Sequence, residues 1–178
     1  MIVGGFDIAT TTGCAILNGS KPLHVEAFRA LGGTDDGKVY TTFRHWFRDV
    51  LKRFEVERIA IEEALRTPRV NATKLKEGIV ELSPAASMDV YLRLYGLRAI
   101  AIQAAHGLNV RVIEVNQATW RKSFTGNGHA TKEESLALAQ RIVPGLTSKD
   151  AAEAIGIAWH LNGVLREESL RVAQPTLF

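Results

Sequence analysis

The sequence predicts an α/β fold in which helices flank a mixed five-stranded sheet, and three observations carry that expectation. Three short apolar runs separated by turn residues open the chain, as an antiparallel meander would. An amphipathic helical pattern then leads into a fourth apolar run. A second helix followed by a fifth run repeats the alternation, and strands separated by helices pair in parallel. With 178 residues, 46% of them hydrophobic, the chain fits one domain, which at this size buries roughly 70% of the surface of its unfolded chain.

The strands expected at 2–9, 13–18 and 22–30 are punctuated by Asn18-Gly19-Ser20 and Gly32-Gly33. From Asp35-Asp36 to Phe54, Val39, Phe43, Phe47, Val50, Leu51 and Phe54 recur at helical spacing, and the two acids suit the positive end of a helix. Arg58-Ile59-Ala60-Ile61 is a short strand running into Glu62-Glu63. Residues 66–83 read as polar and irregular, 86–106 as a long Ala/Leu/Ile helix, and 110–115 as the last strand. After Thr119-Trp120-Arg121-Lys122 comes the loop Gly126-Asn127-Gly128-His129. Thr131-Lys132-Glu133-Glu134 then has the form of a capping box. Pro144-Gly145 stops that helix, and Ser148 caps a final one over about 149–167. The expected organisation is one domain over 1–167 and a tail over 168–178.

Lys and Arg total 22 against 19 Asp and Glu, a net charge of +3 that permits an anionic partner without requiring one. The single cysteine, Cys14, excludes an internal disulfide and sits in an apolar run, as buried free thiols do. No run reaches the ~18 apolar residues of a membrane span, and no basic segment precedes the first apolar run. A soluble, cytoplasmic protein without membrane contact is expected.

The chemistry lies in carboxylates at unusual places. Asp7 ends an apolar strand, where an ionised group needs a partner or a metal. Glu62 ends the fourth strand, and Asp150 and Glu153 share one face of the last helix. Each has a structural reading on its own: Asp7 as a turn cap, Glu62 as a solvated strand end, the helix pair as an offset to the macrodipole. Jointly, carboxylates from two strand ends and a facing helix are what a hard divalent cation needs.

The flanking segments have the opposite sign. No acid lies between Glu63 and Glu77, where Arg66, Arg69, Lys74 and Lys76 fall. None lies between Glu114 and Glu133 either, where Arg121, Lys122 and Lys132 fall. Basic loops around an acidic centre draw nucleic acid by its phosphates; the alternative is a pair of solvated loops. Trp120 and Phe124 are expected in the core.

In order and spacing, Asp7 with Thr12-Gly13, Ala60-Ile61-Glu62, Gly126-x-Gly128-x-Ala130-x-Lys132 and Asp150-Ala151-Ala152-Glu153-Ala154 resemble the RuvC family of Holliday junction resolvases over nearly the whole chain. The resemblance implies an RNase H-like fold, a homodimer, dependence on Mg2+ or Mn2+ with two ions per site, and paired nicks in four-way DNA junctions. It makes Asp7, Glu62, Asp150 and Glu153 the metal ligands, with Asp7 bridging both ions. Lys132 joins them in catalysis at the scissile phosphate. Arg66, Arg69, Lys74, Lys76, Arg121, Lys122 and Lys132 become DNA contacts, and the products carry 5′-phosphate ends.

Departures from the family pattern are Asp7-Ile8-Ala9 in place of Asp-Pro-Gly, Glu153 in place of Asp, and Leu65 where an aromatic residue is common. The longer segment 66–85 suggests a divergent, phage-type member. Rival readings are a flap or branched-DNA endonuclease, a catalytically inactive junction-binding module, and an actin-like ATPase, for which the chain is too short. The long helix 86–106 is apolar over more than one face and is expected at a dimer contact. Gln174-Pro175-Thr176-Leu177-Phe178 resembles the peptide with which bacterial proteins dock on the sliding clamp.

Overall fold

The computed structural model describes residues 1–64, 70–74, 80–84 and 87–173, the two short segments by their backbone alone. Its main sheet has five strands: β1 (Ile2–Asp7), β2 (Thr11–Asn18), β3 (Lys21–Arg29), β4 (Arg58–Glu62) and, later in the chain, β7 (Arg111–Val115). Their order is β3-β2-β1-β4-β7. The first three pair antiparallel, while β4 pairs parallel to both β1 and β7, so the sheet is mixed as expected.

Segment 66–83, expected to be irregular, instead contains an antiparallel pair of its own, β5 (Val70–Lys74) with β6 (Val80–Pro84). Both strands do alternate, as Val70-Asn71-Ala72-Thr73 and Val80-Glu81-Leu82-Ser83, but over only four residues each, and Pro84 argues against a strand, so the sequence announces the hairpin weakly. Leu65, Arg66, Arg69 and Lys76 lie outside the described residues, as does the side chain of Lys74. The Gln174–Phe178 tail also lies outside them.

Helices α1 (Asp36–Arg53) and α2 (Met88–His106) cover one face of the sheet. Asp35 caps α1 by accepting from the Lys38 N–H at 3.1 Å. Against Phe6, Cys14, Ile16, Ile59 and Ile61 these helices bury Phe43, Phe47, Leu51, Leu97, Ala101 and Ala104. Cys14 is a buried free thiol, as expected. The other face is covered by α5 (Lys149–Ala173), buttressed by α3 (Gln117–Thr125) and α4 (Lys132–Ile142). Trp120 and Phe124 lie in that second core with Val3, Ala15, Leu17 and Ala60.

The helix α3 was not foreseen. Asn116 starts it by accepting from the Ala118 N–H at 3.0 Å, and Gly126 ends it with a φ of +83°. Ser148 caps α5, which runs to Ala173, past the end expected near 167. Among the described residues no helix is long and apolar enough to cross a membrane.

Strand periodicity places the carboxylates. Side chains alternate faces along a strand, so Asp7 shares the α5 face with Val3 and Gly5, and Glu62 shares it with Ala60. Phe6 pairs with Ile61, which brings the next residues, Asp7 and Glu62, to adjacent strand ends. The α5 helix can lie close because Gly5 has no side chain: a Cβ there would stand 2.3 Å from the Ala154 carbonyl oxygen and 2.4 Å from the Ala158 nitrogen.

Candidate active site

The first turn of α5 delivers Asp150 and Glu153 to the ends of β1 and β4. Carboxylate oxygens of Asp7, Asp150 and Glu153 lie within 4.8 Å of one another. Glu153 is 2% exposed and Asp7 15%, so their charges are poorly hydrated and require partners.

Lys132 supplies one partner. The capping box at Thr131 and Glu134 fixes the start of α4, where Thr131 accepts from the Glu134 N–H and the Glu134 carboxylate accepts from the Thr131 N–H. From that anchored position the Lys132 Nζ reaches Glu153 Oε2 at 2.6 Å, Asp150 Oδ1 at 2.9 Å and Asp7 Oδ2 at 3.7 Å.

Helix α3 supplies the rest. Gln117, Trp120 and Arg121 stand at i, i+3 and i+4 on one helical face. Gln117 Nε2 donates to Glu62 Oε1 at 3.2 Å, and the Trp120 indole N–H donates to Glu62 Oε2 at 3.1 Å. Arg121 pairs with Glu153 Oε1, its guanidinium 5.3 Å from the Trp120 ring centroid. Trp120 is therefore a core residue by its ring and a site residue by its N–H. Gln117 and Trp120 were not anticipated as carboxylate partners, because the spacing carries that meaning only once α3 is recognised as a helix.

Of the residues expected at the metal or in catalysis, Asp7, Asp150, Glu153 and Lys132 are brought together, while Glu62 stands at the neighbouring strand end, outside that close group and held by Gln117 and Trp120. Of those expected on DNA, Lys122 is exposed on α3, whereas the Arg121 side chain is 13% exposed and turned to Glu153.

Burial dominates the titration of the strand-end acids. It pushes the Asp7 carboxyl up to about 8, helped by the charges of Glu153, Glu62 and Asp150 and opposed by Lys132. Burial likewise raises Glu62, against the lowering effect of the Trp120 N–H. For Lys132 burial acts downward. It is outweighed by the hydrogen bonds to Glu153 and Asp150 and by the Asp7 charge, so the ammonium is held above its ordinary range.

An all-oxygen donor set gathered around the Lys132 ammonium fits a hard divalent cation. The convergence of three carboxylates on Lys132 marks the place where such a charge is stabilised.

No family model matches the chain. Among curated proteins, the crossover junction endodeoxyribonuclease RuvC of Ehrlichia canis is 27% identical over 96 residues, covering 53% of this chain and 59% of that protein. The protein of the same name from Rickettsia typhi is 25% identical over 142 residues, covering 72% and 87%. The chain thus spans about three fifths of the first relative and most of the second. In fold it matches Thermus thermophilus RuvC with a TM-score of 0.72 at 20% identity, covering 94% of this chain and 97% of that one. The same protein in complex with a Holliday junction substrate matches with a TM-score of 0.72. The yeast mitochondrial Holliday junction resolvase Ydc2 matches at 0.58 with 12% identity, covering 96% and 82%.

Proposed function

The chain is RuvC-like in sequence and fold, and from that premise we propose that it is a metal-dependent, structure-selective DNA endonuclease that makes paired nicks in four-way junctions. One observation carries the reading: three carboxylates, from β1 and α5, converge on Lys132, with Glu62 at the adjacent strand end. Asp7, Glu62, Asp150 and Glu153 would hold divalent ions, Mg2+ or Mn2+ and two per site. Bound there, the ions would supply a water-derived nucleophile at neutral pH and stabilise the leaving 3′ oxygen.

The chain's own residues prepare that site. Gln117 and Trp120 hold the Glu62 carboxylate and Arg121 holds Glu153, which fixes where both acids stand. Lys132 reaches Asp7, Asp150 and Glu153 and would turn its charge to the scissile phosphate, where a fixed donor stabilises developing charge. Lys122, with Arg66, Arg69, Lys74 and Lys76 from the segment after β4, would neutralise phosphates of the junction arms and offset the repulsion of the acidic centre.

Paired cuts require two sites related by a two-fold axis. An exposed apolar face at the start of α2 supports a homodimer: Met88 is 63% exposed and Leu92, one turn on, 60%. Of the α2 residues, Leu97, Ala101 and Ala104 are buried within the chain itself, so the stripe available to a second copy is confined to the first half of the helix.

Cleavage of labelled four-way junction, flap and linear duplex, compared in Mg2+ and in EDTA, tests the reading. The expected result is symmetric nicks in the junction, giving 5′-phosphate ends, with Mg2+ only. Preferential cutting of flaps would replace the junction by a flap substrate, and no metal-dependent cutting of any DNA would overturn the proposal.

A further inference from the structure

Strands β2 and β3 carry a second group of metal-ligating side chains, on the opposite face of the sheet from the acids. Cys14 on β2 is the direct partner of Glu26 on β3, and Ile16 is that of His24. In an antiparallel pair a side chain meets both its opposite neighbour and the one diagonal to it on the same face, so the Cys14 thiol faces a carboxylate and an imidazole. The Cys14 Sγ, a His24 ring nitrogen and a Glu26 carboxylate oxygen all lie within 4.8 Å of one another. Cys14 belongs to the core under α1 with Phe6 and Ile16, whereas Asp7 faces α5, and the two groups share no ligand.

Two of the three side chains are held by visible contacts. His24 Nε2 lies 2.8 Å from Glu26 Oε1, and that oxygen also accepts from the Trp46 indole N–H at 2.7 Å. The His24 ring stacks on Phe54 with centroids 5.0 Å apart. None of these contacts accounts for the thiol. Cys14 is fully buried, and among the described residues its sulfur has no hydrogen-bond partner. A small apolar side chain would fill the same space, and packing alone gives no reason for an imidazole and a carboxylate to surround it from the neighbouring strand.

The donor set decides what would bind. Thiolate, imidazole and carboxylate are ligands of Zn2+, a softer cation than the one an all-oxygen site takes, and the thiolate and carboxylate together balance its two charges. With metal–ligand distances of about 2.0–2.3 Å, the ligand atoms of a tetrahedral Zn2+ site stand roughly 3.5 Å apart. Rotation of the His24 and Glu26 side chains supplies that closing movement, since they are 26% and 34% exposed. Their exposed side also admits the ion and a water as its fourth ligand.

We propose that Cys14, His24 and Glu26 form a binding site for a borderline divalent cation of the Zn2+ class, which ties strand β3 to β2. On binding, the thiol gives its proton to solvent and the sulfur binds as thiolate, while the Trp46 N–H stays on Glu26 and orients the carboxylate. Because β3 is the end strand of the sheet, such a tie secures an edge without entering the chemistry at the acids. The site is independent of the proposed nuclease function.

Co2+ is the probe, because it occupies Zn2+ sites and gives a near-ultraviolet charge-transfer band when a thiolate binds it. Cys14 is the chain's only cysteine, so the band reports this site and is silent about the carboxylates around Lys132. Titration of the metal-free full chain with Co2+, in excess Mg2+ and a non-thiol reductant, should raise the band to saturation at about one Co2+ per chain, and Zn2+ should displace it. His24→Ala and Glu26→Gln should each weaken Co2+ binding at least about tenfold, since losing even an outer partner of a ligand costs that much. Micromolar Zn2+ should raise the melting temperature of the unaltered protein and not that of Cys14→Ala or His24→Ala. No thiolate band, a band that Zn2+ does not displace, or unchanged affinity in both His24→Ala and Glu26→Gln would overturn the site and leave the nuclease reading untouched. If Cys14→Ala fails to fold by circular dichroism, the two β3 variants decide.

Discussion

Gly13 lies so close to the main chain of Asp150 that a side-chain carbon on it would stand 1.9 Å from the Asp150 carbonyl oxygen. Gly13 is also the partner of Asp7 across β1 and β2, so this close approach seats the acidic first turn of α5 directly over the acid of β1. Gly13→Ala should push that turn away, destabilise the fold by about 1–3 kcal/mol, the usual scale of overpacking, and reduce metal-dependent cleavage about a hundredfold. Urea unfolding and junction cleavage measure the two effects. Full activity in a stable Gly13→Ala protein would show that the contact does not position Asp150.

Proton release should accompany metal binding. With the Asp7 carboxyl raised to about 8, the metal-free protein at pH 7 holds a proton there that a divalent ion must displace. Calorimetric titration of Mg2+ or Mn2+ in buffers of different ionisation enthalpy should report about one proton released at pH 7 and none near pH 10. The sign for stability follows. A carboxyl raised on folding contributes stability that is complete below its unfolded value, 3.8, and is lost as pH rises through about 8. The melting temperature of the metal-free protein should therefore fall over that window. Asp7→Asn should remove this dependence, abolish cleavage and preserve DNA binding.

Lys132 stands where positive charge is most stabilised, so it competes with a metal for the same oxygens. Lys132→Met keeps the length of the side chain and removes the charge. Cleavage should fall 10²–10³-fold, the scale of losing one preorganised donor, while divalent metal binds about tenfold tighter. Because Asp7 loses its lowering influence in this variant, the metal titration belongs at pH 9.5, where protonation interferes least. Weaker metal binding there would mean that Lys132 organises the carboxylates more than it opposes a cation.

A charge placed in the apolar stripe of α2 should separate the proposed dimer. Leu92 is exposed and outside the core, so Leu92→Glu should leave folding intact and convert a dimer mass to a monomer mass by light scattering at micromolar concentration. Paired nicks should become single nicks. A monomer in the unaltered protein, or a dimer that persists in Leu92→Glu, would exclude this face as the interface.

The acids of the site were legible because a carboxylate ending an apolar strand, as Asp7 and Glu62 do, conflicts with its surroundings and asks for a reason. The meander and the two strand-bearing alternations were legible from turn residues and period. Gln117 and Arg121 were not readable as partners of Glu62 and Glu153, because α3 is nine residues long and has no acid in its first turn to announce a helix. The exposed stripe of α2 was blurred for a related reason. A helix apolar on several faces does not say which face its own sheet will take, and Leu97 and Ala101 went inward while Leu92 stayed outside.

The glycine-lined bed for α5 also has a consequence during synthesis. Two of the four carboxylates, Asp150 and Glu153, arrive with α5, so a growing chain still on the ribosome can present Asp7 and Glu62 but no assembled candidate site. Until that helix emerges, Val3, Ala15, Leu17 and Ala60, all buried beneath it in the finished fold, form an uncovered apolar face of the kind that invites aggregation or chaperone capture. The arrival of one helix ends that exposure and completes the candidate site in the same step.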